Sequence, residues 1–338
     1  MKILFDISHP AHINFFKTII SRFHEDGNEI YISVLQRGKL LEIVKKEFNG
    51  YVIIKSGRYR NNKFSIIIEA NLFRFFLQLF NIIHYGIDFG LSVGSFTFGA
   101  AMKLLRKKNI QFDDDPERKL HVLLEQITAT IVFFPPVVKE RKNIRTFNAL
   151  KEWSYLSPKY FSPNLKSIEK HCVKPKEYIF IREVQTKSLN YSSQASDTIL
   201  LNSKIIPKDL KVILSLEDKS KKNLYPTEWI ILEEPVDDIH SLIYYSILMI
   251  STGDSMAREG AMLGIPSIYC GNRFMNANQI LIDKGLLFHI PISETSQLIN
   301  DVMNNNCCKL NQNTIRDQLF NQWTDLPDYI YNFVKTLT

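Results

Sequence analysis

The apolar positions of the chain fall into short blocks whose spacing switches between two patterns. "KILFDIS" (Lys2–Ser8) is a nearly continuous apolar run, as expected of a strand buried on both faces. "INFFKTIISRFHEDG" (Ile13–Gly27) places Phe15, Phe16, Ile19, Ile20 and Phe23 at helical intervals, with Gly27 suited to a C-terminal cap. The alternation continues through "NEIYISVL", "KLLEIVKKEF", "YVIIKSG", a long helix over Phe64–Tyr85, "DFGLSVG", "FTFGAAMKLLRKKN", "IQFDD", "PERKLHVLLEQIT" and "TIVFFPP". Residues 139–175 lose the periodicity and carry "SYLSPKYFSPN", which predicts a linker. Strands and helices then resume from "YIFIREV" to "LLFHI", followed by closing helices.

Strand–helix alternation of this kind predicts an α/β protein built from two doubly wound, Rossmann-like domains facing across a cleft. The expected divisions are residues 1–165, residues 166–315, and a helix over 316–338 packing back on the first domain. A chain of 338 residues supports two such cores.

Composition narrows the partners. The formal charge of +7 favours anionic ligands, but no Lys/Arg block marks a nucleic-acid tail, and a lysine-rich solvated surface explains most of the excess. Only Cys307 and Cys308 of the four cysteines are close in sequence, without metal-site spacing, which fits a reducing cytoplasm. "MKILFDI" enters a strand directly, so no leader is expected. The most apolar window, Phe64–Gly94, is interrupted by Glu69, Asn71, Arg74, Gln78, Asn81 and His84, short of the ~20 apolar residues of a membrane span. Phe73, Phe75, Phe76, Leu77, Leu79 and Phe80 cover more than one helix face. That suits a buried helix, or a surface that touches membrane or a lipid-linked acceptor.

Two stretches carry candidate chemistry. In "MISTGDSMAREGAMLGIPSIYCG" (Met249–Gly271), a strand runs through Gly253 into a helix that starts near Ser255. An exposed helix N-terminus after a small-residue turn binds phosphate through free N–H groups and the helix dipole. Glu259 lies one turn further, where a carboxylate can accept hydrogen bonds from a ribose diol. Asp254 opposes phosphate unless it caps the helix or points away, and a ligand-free strand–loop–helix would carry the same small residues. "DISHPAHINFF" (Asp6–Phe16) sets His9 and His12 in the first strand–helix turn. An imidazole there can take a proton from a hydroxyl if a carboxylate (Asp6, Asp114 or Asp115) steadies it. Both histidines can equally serve only as acceptors for N–H groups at the helix start. Arg182 can reach a diphosphate or form a surface ion pair, while His171, His240 and His289 suit structural roles.

In order along the chain, "DISHPAHINFFK", "FDDDPERKLHVLLEQITATIVFFPP", "SYLSPKYFSPN", "ISTGDSMAREGAMLGIPSI" and "DKGLLFHIP" resemble the DUF354 family, grouped with GT-B glycosyltransferases and UDP-N-acetylglucosamine 2-epimerases. "PAHINFF" also resembles the "GHINP"-type loop of nucleotide-sugar glycosyltransferases, with His12 at the matching histidine. The family's "GGGTMTREAALLGTP" becomes a turn with Ser251, Thr252 and Asp254, with Ser255 for the threonine and Glu259 retained. Its "DTEHA" becomes "DDPERKL", which keeps Asp114 and Glu117 and substitutes Arg118 for the histidine.

The resemblance implies a glycosyltransferase that moves a sugar from a nucleotide-sugar, UDP-linked by expectation, to a glycan or lipid-linked acceptor in surface polysaccharide or glycoconjugate synthesis; with "DDD" at 113–115 as the one DxD-like stretch, and in the first domain, no metal is expected at the donor diphosphate. It implies His12, Asp114 and Glu117 as catalytic residues. His9, Asn14, Arg182, Thr252, Gly253, Ser255, Met256 and Glu259 are implied for substrate and donor, with no cofactor and no nucleic acid. A cytoplasmic enzyme in peripheral contact with the inner membrane face is expected. A sugar-nucleotide 2-epimerase using Asp114, Glu117 and Glu125, and a non-catalytic binding protein, are the alternatives.

Overall fold

The computed structural model describes residues 1–59, 71–185, 206–207, 210–233, 236, 238–303 and 311–337. The chain divides into two compact units, Met1–Tyr155 with Trp323–Thr338, and Leu156–Gln322.

The first unit contains β1 (Lys2–Ile7), α1 (Pro10–Glu25), β2 (Glu29–Gln36), α2 (Leu40–Glu47), β3 (Val52–Arg58), α3 (Arg74–Tyr85), β4 (Phe89–Val93), α4 (Phe96–Leu104), β5 (Lys108–Phe112), α5 (Lys119–Thr128), β6 (Ile131–Phe134) and β7 (Ile144–Thr146). Its seven strands are parallel, in the order β3-β2-β1-β4-β5-β6-β7. The apolar run of β1 makes sense in this position. It is central, paired with β2 and β4, and Ile3 to Ile7 are fully buried.

A single turn, α6 (Trp153–Leu156), spans the unit boundary, and α7 (Lys166–Glu169) follows. Here the expected linker proves to be packed. Leu150, Leu156 and Ile168 are fully buried, and the Trp153 ring meets Trp323 edge-on at 5.4 Å. Aromatic and aliphatic anchors bury this stretch without any regular period, so a pattern of periods does not reveal it.

The second unit contains β8 (Tyr178–Glu183), β9 (Lys211–Leu216), β10 (Ile230–Ile231), α8 (Ile239–Tyr244), β11 (Leu248–Ser251), α9 (Asp254–Met262), β12 (Ser267–Tyr269), α10 (Asn276–Asp283), β13 (Leu287–His289), α11 (Thr295–Met303) and α12 (Gln312–Gln322). Its six strands take the order β10-β9-β8-β11-β12-β13. A last helix, α13 (Leu326–Leu337), packs in the first unit against α1, where the Phe23 and Tyr331 rings lie 5.1 Å apart.

Both sheets therefore share the doubly wound order, in which the winding reverses between the first strand and the fourth. Ligands of open α/β sheets bind where the strand order reverses, at the C-terminal ends of the strands. In the first unit that point lies between β1 and β4, and in the second between β8 and β11.

The described part of the expected Phe64–Tyr85 helix is α3 with a preceding wide turn at residues 71–73; residues 64–70 and Cys307 and Cys308 lie outside the described residues. Its buried face is Arg74, Gln78, Asn81 and Ile82, while Phe73, Phe76, Phe80 and Ile83 are exposed. A helix whose polar side is the buried one needs partners for those groups, and Asp6 on β1 supplies them for Arg74 and Gln78.

Candidate functional site

At the switch point of the first unit, β1 passes through Ser8 and His9 into α1, with Pro10 at its start. Proline suits this position, where an N–H has no partner within the helix. His9 is the N-cap, its Nδ1 accepting from the Ala11 N–H at 3.3 Å. His12, one turn along, is buried, and its Nδ1 accepts from the Ser8 N–H at 3.4 Å. An imidazole that accepts at Nδ1 carries its proton on Nε2 when neutral. His12 is held neutral: burial, then the charges of His9, Lys151 and Arg74, keep its pKa well below 6.5 against the opposing pull of Asp114. Asp114, itself buried, accepts from Lys151 Nζ at 2.7 Å.

Of the carboxylates considered for His12, Asp6 is taken up elsewhere. It is fully buried and accepts from Arg74 Nη2 at 2.6 and 2.8 Å, from Gln78 Nε2 at 2.8 Å, and from Ser33 Oγ. Asp115 pairs with Arg118 Nε at 2.8 Å. Asp114 remains as the carboxylate whose charge acts on His12. Asn14 on α1 and Glu117 in the turn before α5 are half-buried.

A second cluster lies beside β5 that no sequence motif singled out as a unit. The ligand atoms of Asp113, His121 and Glu125 lie within 4.8 Å of one another, a donor set able to hold a divalent cation. His121 Nε2 is 3.2 Å from both Glu125 Oε1 and the Gly94 carbonyl oxygen. Arg118 Nη2 already engages Asp113 at 3.1 and 3.2 Å. Burial, then the neighbouring Asp113, push the Glu125 carboxyl well above its ordinary value. The legible signal was a histidine and a glutamate four residues apart on one helix, after an aspartate-rich strand end.

In the second unit, β8 and β11 end together. The Thr252 N–H donates to the Arg182 carbonyl at 3.0 Å, and Thr252 Oγ1 accepts from the Val184 N–H at 3.0 Å. Ser251 Oγ accepts from the Gly253 N–H at 3.0 Å and donates back to its carbonyl at 2.7 Å, closing a tight turn. Gly253 is the N-cap of α9 and supplies no side chain to that helix start.

Asp254 neither caps α9 nor points outward. It is buried at the first helical position, 3.8 Å from Arg258 and 3.6 Å from Arg273, so its charge is balanced. Arg258 is fully buried and donates to Asn278 Oδ1 at 3.0 Å. Ser255 and Met256 are half-buried on the first turn. Arg182 donates to Ser215 Oγ at 2.8 Å and pairs with Glu217, which directs its guanidinium along β9. Glu259 is buried with its carboxylate 3.5 Å from His240 Nε2 on α8. His240, read as structural from sequence, thus shares the Glu259 environment; the two are far apart in sequence, and only the packing of α8 on α9 joins them.

An uncharacterised protein of Methanocaldococcus jannaschii is 22% identical over 316 residues, covering 89% of this chain and 90% of that one. The UDP-GlcNAc 2-epimerase of the same organism, solved with UDP-GlcNAc and UDP, superposes with a TM-score of 0.70 at 13% identity, covering 99% of this chain and 100% of that one. Acinetobacter baumannii MurG gives 0.58 at 13% identity, with 99% and 100% covered. The spinosyn forosaminyltransferase SpnP gives 0.69 at 11%, with 100% and 99% covered. The parallel sheets of seven and six strands match the two Rossmann-like domains of the GT-B fold. A profile for a protein of unknown function, DUF354, matches residues 141–336, more than half of the chain, and the protein belongs to that family.

Proposed function

We propose that the protein is a glycosyltransferase that takes a sugar from a nucleoside-diphosphate donor and passes it to a hydroxyl of a glycan or lipid-linked acceptor in the cytoplasm. One observation carries this reading: the uncapped start of α9 at the switch point of the second sheet, with Asp254 neutralised and Glu259 buried on the same helix. The helix start suits a diphosphate without a metal ion. Glu259 suits a ribose diol. The presence of UDP and UDP-GlcNAc in the epimerase structure favours a UDP-linked donor.

In the reaction, the acceptor oxygen attacks the anomeric carbon as the bond from that carbon to the phosphate oxygen breaks. The nucleoside diphosphate leaves with the electron pair, and the hydroxyl proton passes to His12. His12 suits a base because burial keeps it unprotonated, while Asp114 steadies the imidazolium once formed. Its resting tautomer has the proton on Nε2, so acceptor binding must draw Nδ1 from the Ser8 N–H or move the ring proton.

A second reading is a sugar-nucleotide 2-epimerase, favoured by the Asp113–His121–Glu125 cluster, which sets two carboxyls and an imidazole together, with the Glu125 carboxyl pushed well above its ordinary value by burial. Incubation with UDP-, GDP-, CMP- and dTDP-sugars and no acceptor separates the two. Saturable binding with intact donor fits a transferase awaiting its acceptor or a non-catalytic binding protein, which loss of transfer in His12→Ala and Glu259→Ala then separates; a 2-epimer or rapid nucleotide release replaces both with the epimerase. Failure to bind any of them overturns both.

A further inference from the structure

The outer faces of α3, α4 and α5 show an arrangement that the nucleotide-sugar reading does not use. These helices lie side by side, α4 touching both neighbours. Most of their exposed positions are apolar: Phe76, Phe80 and Ile83 on α3 with Phe73 just before it, Leu104 at the end of α4, and Leu120, Leu123 and Ile127 on α5; His84, Lys103 and Lys119 are the exposed polar ones. Phe80 is 62% exposed, Ile83 66% and Leu120 71%. Burying these side chains in the first unit was not prevented by a lack of apolar residues. The inward face of α3 is given to Arg74 and Gln78, which hold Asp6 near the C-terminal end of β1. Large clustered apolar exposure on neighbouring helices marks an interaction surface.

Charge identifies its occupant. The three helices contain a single carboxylate, Glu125, and it is fully buried. Their exposed charged groups are cationic, Lys103 and Lys119, and the residues just after α4 add exposed Arg106 and Lys108. In the turn after α3, Asp88 is paired with Lys107 at 3.7 Å. A second copy of the chain would bring the same positive charges against these, which a self-interface disfavours. Phenylalanine and leucine flanked by lysine and arginine, with no exposed carboxylate on the three helices and with Asp88 and half-buried Glu117 beside them, suit the headgroup–acyl boundary of an anionic bilayer.

We infer that the α3–α4–α5 face docks the protein on an anionic lipid surface. The attachment is interfacial: among the described residues no helix is long and apolar enough to cross a membrane. The same helix that turns phenylalanines outward fixes Asp6 through Arg74, so the lipid contact lies on an element of the first unit's site.

The test is vesicle flotation of the full chain, without any sugar nucleotide, so that its outcome is independent of the proposed reaction. Vesicles of phosphatidylcholine with about one-quarter phosphatidylglycerol are compared with phosphatidylcholine alone. The wild type is expected to float with the anionic vesicles and to be released by about 0.5 M salt. The double variant Phe76→Ser/Phe80→Ser is expected to lose at least about tenfold in partitioning with unchanged circular dichroism and Tm, since both side chains are exposed. Lys119→Glu is expected to weaken binding with the apolar residues intact. The inference fails if the wild type stays in solution with anionic vesicles, or if the Phe variant floats as well as wild type. It fails equally if sedimentation shows a wild-type dimer that these substitutions dissociate while neither protein floats.

Discussion

His240 Nε2 on α8 lies 3.5 Å from the Glu259 carboxylate on α9, with both side chains mostly buried. The imidazole can donate to one carboxylate oxygen and fix the orientation of the other. Hydrogen bonds to a charged group contribute about 1.5–3 kcal/mol. Glu259→Ala is therefore expected to weaken nucleotide-sugar binding by roughly 10- to 100-fold in calorimetry, and His240→Ala by less, with the same sign. Undiminished affinity in Glu259→Ala would remove this residue from the donor site.

His12 has a structural duty, accepting from the Ser8 N–H, and a proposed chemical one. His12→Asn separates them, because the Asn carbonyl oxygen can still accept from Ser8 while the ring is gone. The expected result is a folded protein with transfer lowered on the order of 100-fold or more, the usual range for a lost acid–base group. The wild-type rate should stay flat as pH falls through 6.5, since the folded His12 takes a proton only well below that value. Full activity in His12→Asn would leave His12 as a helix-start acceptor alone.

Asp6 and Arg74 form a buried pair, their side chains 0% and 5% exposed. Removing one partner of such a pair costs about 3–5 kcal/mol, because a charge is left buried without compensation. Arg74→Met and Asp6→Asn should each lower stability strongly in denaturant titration, and the double variant by clearly less than the sum. Additive losses would mean that the two do not interact in solution.

Glu125 gives a pH-dependent test. Its folded pKa is raised well above 4.5, first by burial and then by Asp113. Between its unfolded and folded values, the folded protein holds a proton that the unfolded chain has released, so stability falls as pH rises. The amide introduced by Glu125→Gln has no such proton to lose. This variant should therefore melt higher than wild type near pH 7, by a few degrees, with the difference shrinking toward pH 4.5. A difference that does not change with pH would show that Glu125 is ionised in the native state.

The two parallel sheets were legible because a buried strand and an amphipathic helix impose different periods on the residues themselves. β1, α1 and β11 appear where the apolar runs put them. The turn at Gly253 and the histidines at the start of α1 were legible for a similar reason, since helix starts use local chemistry. The 139–175 stretch reads as a linker, and the boundary between the two units falls within it; its packing was not legible, because Leu150, Trp153 and Ile168 are buried without a repeat.

Sequence alone determined the α/β alternation, the small-residue turn before α9 and the family resemblance, all of which are local patterns along the chain. Only the tertiary structure decided which charges meet. It assigned Asp6 to Arg74 and left Asp114 acting on His12, balanced Asp254 with two arginines, and brought His240 to Glu259. It also turned the aromatic side of α3 outward. The reason is that Coulomb and hydrogen-bond energies depend on separation in space and on desolvation, and sequence spacing reports neither once the chain has crossed from one strand to another.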